Sequence, residues 1–236
     1  CTGNQLLSTP DTDLNTANIS DYTDIIQTSD GAYYAAFSQI SRSTASPNRG
    51  VYRSTDGINW HEITPSTWPR RYARTVIASS NNNPNDVYFS VNADFEMLWK
   101  YTYISGDGLQ TRGIWQNLTE NIPAYGGEVG DYDSQSSYNM VLEVHPENDK
   151  MVFLGGTNLY RSDDGFSTTL NTKWIGGYDT ANDISIYPNH FVDQHALEFF
   201  PSNPNKMISA NDGGIFITED NTRDHPSWLP LNNGFI

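Results

Sequence analysis

Four tryptophans, Trp60, Trp115, Trp174 and Trp228, follow one another at intervals of 55, 59 and 54 residues. Each closes a segment of one order: an alternating strand, a polar turn, a second strand, a third strand ending in a Gly-containing turn, and a fourth strand carrying the Trp. Four strands per repeat is the pattern of a propeller blade, a sheet that buries its faces only by stacking on neighbours. The expected blades are 22–66, 67–122, 123–178 and 179–236, with 1–21 as a lead-in segment. In the first blade the pattern predicts strands at 22–28, 32–38, 50–54 and 59–64, and in the third an inner strand at 138–145. In the fourth it predicts a turn over 202–206.

The turns before the tryptophans carry their own chemistry. Residues 51–60 (VYRSTDGINW) and 158–165 (NLYRSDDG) repeat a hydrophobic approach, a Ser and an Asp-Gly pair. Gly57 and Gly165 tolerate positive φ, while Ser54, Asp56, Ser162 and Asp164 can bond turn amides. These residues, with Trp60, are therefore assigned a structural role. The fourth copy has degenerated to Thr218-Glu219-Asp220-Asn221.

Composition agrees with an all-β chain. Counted without Tyr and with Gly, apolar residues come to roughly 38% of the chain, below the usual share of roughly 45–50%, while aromatics reach 13%. A formal charge of −15 disfavours nucleic acid or an anionic membrane surface as partner, since both demand a positive footprint. No stretch approaches the roughly 20 apolar residues of a membrane-spanning helix. Cys1 is the only cysteine, so no internal disulfide can form. Two readings of Cys1 are open, a truncation point or a lipid-bearing first residue. The abrupt ends lead us to expect a segment of a larger propeller, continued by further blades.

STDGINW and RSDDGFS resemble the Asp-box, or BNR, repeats of sialidases, sortilin-type receptors and xyloglucanase-like propellers. A closer resemblance, carried by GVYRSTDG, PAYGGEVGDYDSQ, YPNHFVDQHALEF and NDGGIF, is to exported propeller proteins of Bacteroidetes-type bacteria associated with type IX secretion. The resemblance implies an all-β propeller, a structural Asp box on the face away from any ligand, and an extracellular or outer-surface location. A sialidase would need an arginine triad drawn from several blades, whereas Arg70, Arg71 and Arg74 cluster on one.

In a propeller of this strand order the blade-to-blade loops share a face with the turns joining second to third strands. Those loops, at 65–72, 123–138 and 175–195, are long and concentrate Trp68, Tyr125, Tyr132, Tyr178 and Tyr187 with Asp131, Asp133, Asp183 and Asp193. Aromatic faces pack on the apolar side of a pyranose and carboxylates accept hydroxyl hydrogen bonds, so the tyrosines and Trp68 are candidate ligand-binding residues. The four aspartates are candidates for the carboxylate pair of a glycosidase. His190, Asp193 and His195 are candidate transition-metal ligands. Glu128, Asp131 and Asp133 could hold calcium, and no other cofactor is expected. The expected function is a non-catalytic binding or scaffold module for a glycan or surface protein. The alternatives are a xyloglucanase-like endo-glycosidase, so that an enzyme here would be a glycoside hydrolase, and a receptor-like protein-binding propeller.

Overall fold

A computed structural model describes residues 23–38 and 49–234. The lead-in segment and Tyr22 lie outside the described residues, as does Cys1. Among the described residues the alternating segments form sixteen strands. The first sheet holds β1 (Thr23–Gln27), β2 (Tyr33–Phe37), β3 (Gly50–Ser54) and β4 (Trp60–Glu62). The second holds β5 (Tyr72–Ser79), β6 (Asp86–Ala93), β7 (Glu96–Tyr103) and β8 (Gly113–Asn117). The third holds β9 (Val141–Val144), β10 (Val152–Gly155), β11 (Leu159–Ser162) and β12 (Thr172–Gly176). The fourth holds β13 (Gln194–Phe200), β14 (Asn203–Asn211), β15 (Gly214–Thr218) and β16 (Trp228–Pro230). In every sheet the strands pair antiparallel in chain order, which is the blade meander. The only helical pieces among the described residues are 3₁₀ turns at Gln110–Arg112 and Thr119–Asn121, and none is long and apolar enough to cross a membrane.

Three boundaries differ from expectation, each for a local reason. The inner strand of the third blade starts at Val141 rather than 138, because Gln135, Ser136 and Ser137 all take positive φ and fold the chain into a turn. In the first blade, β4 is shorter than 59–64: Ile63 N bonds Val51 O, and Thr64 Oγ1 then caps Val51 N at 2.8 Å in place of a ladder bond. In the fourth, β14 begins at Asn203, inside the expected 202–206 turn. Pairing slips there, with Phe199 opposite Met207 but Phe200 opposite Asn203. The carbonyls of Pro204 and Asn205 are held by the Asn221 side chain and backbone N–H, so the extra residues stay extended.

The Ser-x-Asp-Gly turns explain why Ser and Asp recur. Ser54 Oγ accepts from Gly57 N at 2.9 Å and donates to Asp56 Oδ1 at 3.0 Å. The Asp56 carboxylate in turn accepts from Ile58 N and Asn59 N. Ser162 Oγ likewise accepts from Phe166 N at 2.7 Å and donates to Asp164 Oδ1. Gly57 and Gly165 have φ of 71° and 68°, the left-handed region where Gly is unstrained. The degenerate copy keeps the geometry: Thr218 Oγ1 accepts from Asp220 N, and Asp220 Oδ1 from Thr222 N.

The chain divides into two compact units, Cys1–Asn117 and Leu118–Ile236, each carrying two blades. In the first unit Tyr34, Val51 and Ile63 pack with Val87, Phe89, Trp99 and Tyr101. In the second, Phe153, Leu159 and Ile175 pack with Leu197, Met207, Phe216 and Trp228. Within each unit the same two residues staple the blades together. The second blade's Trp donates to a carbonyl in or just after the first blade's fourth strand, Trp115 to Ile63 O at 2.7 Å and Trp228 to Ile175 O at 2.8 Å. The first blade's Arg, one residue before the Ser of its Ser-x-Asp-Gly turn, reaches the opposite way. Arg53 lies 3.8 Å from the Tyr103 ring centroid. The fully buried Arg161 donates to Asn221 O and Arg223 O at 2.6 and 2.7 Å.

Candidate functional site

In the second unit the loops 123–138 and 175–195 meet on one face, joined by two asparagines. Asn182 Oδ1 accepts from Val129 N at 3.1 Å while its Nδ2 donates to Gly126 O. A Cβ on Gly127 or Gly130 would strike the Asn182 amide, so those glycines make room for it. Asn158 donates to Val129 O at 2.7 Å and accepts from Tyr178 N at 2.8 Å. The result is a braced platform.

On this platform Tyr125 is 47% exposed and stacks at 20° on the buried Tyr160 ring, with Trp174 5.8 Å away. Its hydroxyl donates to Thr172 O at 3.1 Å, which fixes the ring over the outer strand. A cleft of about 360 Å³ opens beside it, lined by Tyr125, Trp174, Lys173, Asn182, Asp224 and His225. A second hollow of about 350 Å³, floored by Tyr187 and Trp228, shares Thr180 and His225 with the first. The two form one groove. Lys173 Nζ sits 3.2 Å from Asp224 Oδ2, a charged pair at its rim.

A polar cluster lies where the same two loops lead into β9 and β13, beside the β14–β15 turn. Asp193, at a left-handed φ of 63°, accepts from Gln135 Nε2 at 2.7 Å and Asn139 Nδ2 at 2.6 Å. His195 Nε2 lies 2.7 Å from Asp212 Oδ1, and Tyr138 donates to the same oxygen at 3.1 Å. Burial first, then the negative charge of Asp212, pushes the Asp193 carboxyl above the usual carboxylate range. Hydrogen bonds from His195 and Tyr138 hold Asp212 below it, against its desolvation. Two neighbouring carboxyls therefore have their acidities moved apart.

The sequence-predicted residues divide accordingly. Tyr125 and Tyr187 line the groove, although Tyr187 is buried and its hydroxyl bonds Pro226 O. Tyr178 is half-buried and bridges to Ile186, while Tyr132 is buried. Trp68 is 7% exposed and belongs to the first unit's core, edge-on to Tyr72, Phe89 and Trp115. Of the aspartates Asp193 is the one held by side-chain amides, those of Gln135 and Asn139, close enough to the His195–Asp212 pair to feel its charges. Asp131 is capped by Gly126 N, Asp133 by Gln135 N and Asp183 by Ser185 N.

The two histidines part company. His190 is fully buried: its Nδ1 accepts from Gly177 N at 3.0 Å, so Nε2 carries the proton and donates to Ser209 Oγ. His195 faces Asp212 instead. No group of three or more His, Cys, Asp or Glu side chains is placed to share an ion among the described residues, Glu128, Asp131 and Asp133 included. Asp212, Tyr138, Asn182 and His225 were not singled out from the sequence, and Trp174 only as a marker of the repeat. Asp212 had a signal, its position in the turn of the NDGGIF string on the same face.

No family model matches the sequence, and no curated protein matches it. Among solved structures the fold is similar to the Niastella koreensis GH74 enzyme, at 16% identity and a TM-score of 0.50, over 84% of this chain and 28% of that one. YCF48 from Cyanidioschyzon merolae aligns at 15% identity and a TM-score of 0.48, over 82% of this chain and 48% of that one. Sqt1 from Chaetomium thermophilum aligns at 12% identity and a TM-score of 0.36, over 85% and 53%. The chain thus spans about a quarter to a half of the length of these proteins. At such identity the likeness to the GH74 enzyme speaks to fold alone: the four sheets are blades of a β-propeller.

Proposed function

We propose that the chain is a carbohydrate-binding propeller module, exported or displayed on the outer cell surface, whose second unit holds a glycan in the groove beside Tyr125. The observation that carries this reading is the exposed Tyr125 face, stacked on Tyr160 and bordered by Lys173, Asn182, Asp224 and His225. An aromatic face offers area to the C–H side of a sugar ring at low entropic cost, and the rim alternates hydrogen-bond donors and acceptors for its hydroxyls. The test is titration of soluble neutral oligosaccharides by calorimetry with wild type and Tyr125→Ala. Binding that weakens at least tenfold in the variant, with unchanged melting, is expected; equal binding by both contradicts the assignment.

A second reading is favoured by one specific observation, the adjacent carboxyls Asp193 and Asp212 with acidities moved in opposite directions. That is the division of labour a glycosidase uses between proton donor and ionised partner. Reducing-end release at high protein load, abolished in Asp193→Asn, would favour this second reading. Binding without turnover sets it aside.

A further inference from the structure

A separate cleft lies in the first unit. It has a volume of about 260 Å³ and is lined by Arg49, Arg70, Glu62, Thr64, Ser66 and the edge of Trp68. Its walls are fixed. Trp68 N bonds Pro65 O at 2.9 Å, the turn is framed by Pro65 and Pro69, and the Trp68 ring is locked into the core by four aromatic neighbours. Arg70 therefore projects from a rigid turn. Arg49 approaches from the start of β3, next to Gly50, whose φ is +129°. A Cβ on Gly50 would strike Thr64 Oγ1 and come within 3.2 Å of Glu62 Oε1, so the space between these groups exists because residue 50 has no side chain.

In a chain of formal charge −15, neither Arg49 nor Arg70 has a carboxylate within ion-pair distance among the described residues. Arg74, the third member of the cluster noted in the sequence, instead lies close enough to Asp24 to influence its carboxyl. Two free guanidinium groups around a small cleft call for an oxyanion, which they can grip with paired N–H donors. The single carboxylate present, Glu62, opposes groups carrying two negative charges and instead suits a hydroxyl donor. The volume lies below the roughly 300–1,000 Å³ of drug-sized sites, which fits one ring-sized group.

We propose that this cleft binds an anionic saccharide, one residue of which places a carboxylate or sulfate ester between Arg49 and Arg70. Glu62, Thr64 and Ser66 take its hydroxyls, and the proline-framed turn packs on its C–H face. This site is independent of the groove in the second unit. Binding to the whole chain is measured by calorimetry with tri-galacturonate, galactose 6-sulfate and neutral galactotriose, in low and high salt. One or both anionic probes are expected to bind, and which of them does tells carboxylate from sulfate. Affinity should fall at least tenfold in Arg49→Ala and Arg70→Ala, less in Arg70→Lys, and should weaken with salt. Tyr125→Ala should leave it unchanged. The proposal is overturned if neither anionic probe binds, if both arginine variants bind like wild type, or if galactotriose matches the anionic probes through the same arginines. Loss of the signal in Tyr125→Ala alone assigns the ligand to the other groove and overturns it equally.

Discussion

Ser162 is fully buried, and its Oγ accepts from the N–H groups of Asp164 and Phe166 while donating to the Asp164 carboxylate. Burial alone would raise that carboxyl; hydrogen bonds from Asn171, Thr168 and Ser162 outweigh it and hold Asp164 low. Ser162→Ala leaves buried amides without an acceptor and should lower stability by about 1–3 kcal/mol. Urea denaturation beside a binding titration checks this, since saccharide affinity should not move. Such roles were legible in the sequence because every partner lies within a few residues. Trp68, Tyr132 and Tyr187 were not equally legible: a loop aromatic that covers a core and one that faces solvent have the same sequence signature, and only packing separates them. Asp212 hid for the converse reason, since Asn-Asp-Gly-Gly reads fully as a turn and its contacts to His195 and Tyr138 span 17 and 74 residues.

Strands and blades were readable because period-two alternation and Gly-Asp turns are local signals. What the spacing of the tryptophans did not disclose is that they serve two purposes. Trp60 and Trp174 bond carbonyls close by in their own blades, Gly57 O and Gly176 O, whereas Trp115 and Trp228 cross to the preceding blade. The arginines alternate in the opposite sense, so the structural repeat is a pair of blades. Arg161 shows the stakes at this scale. Arg161→Ala removes the donor to two carbonyls of the neighbouring blade and should destabilise by about 3–5 kcal/mol, as loss of a buried charged partner does. Trp228→Phe keeps the ring packing and forfeits one hydrogen bond, for about 1 kcal/mol. Chemical denaturation of the two variants should rank them in that order; a larger loss from Trp228→Phe would contradict the staple assignment.

Across the whole molecule, acid should act in two stages. Burial drives the His190 imidazole down to about 3, against about 6.5 in an unfolded chain. Between those values the unfolded state binds a proton that the folded state refuses, so stability falls as pH falls, by up to about 1.4 kcal/mol per pH unit. His145, also lowered by burial, adds to the same slope. The Asp56, Asp107 and Asp212 carboxylates are held low by hydrogen bonds, and their contribution, complete above the unfolded carboxylate range, is lost only below about pH 4. Asp24 and Asp193, raised by burial, oppose them, because their folded forms take up a proton first. Melting temperature should therefore decline from about pH 6.5 and more steeply below 4, and a flat profile from 7 to 4.5 would contradict the buried neutral His190. The central claim, that the groove beside Tyr125 holds a glycan, is met most directly by a crystal structure with a bound oligosaccharide. A sugar ring seated on the exposed face of Tyr125, between Lys173 and His225, is the predicted result. A ring seated instead on Asp193 and Asp212, with the Tyr125 face bare, would contradict it.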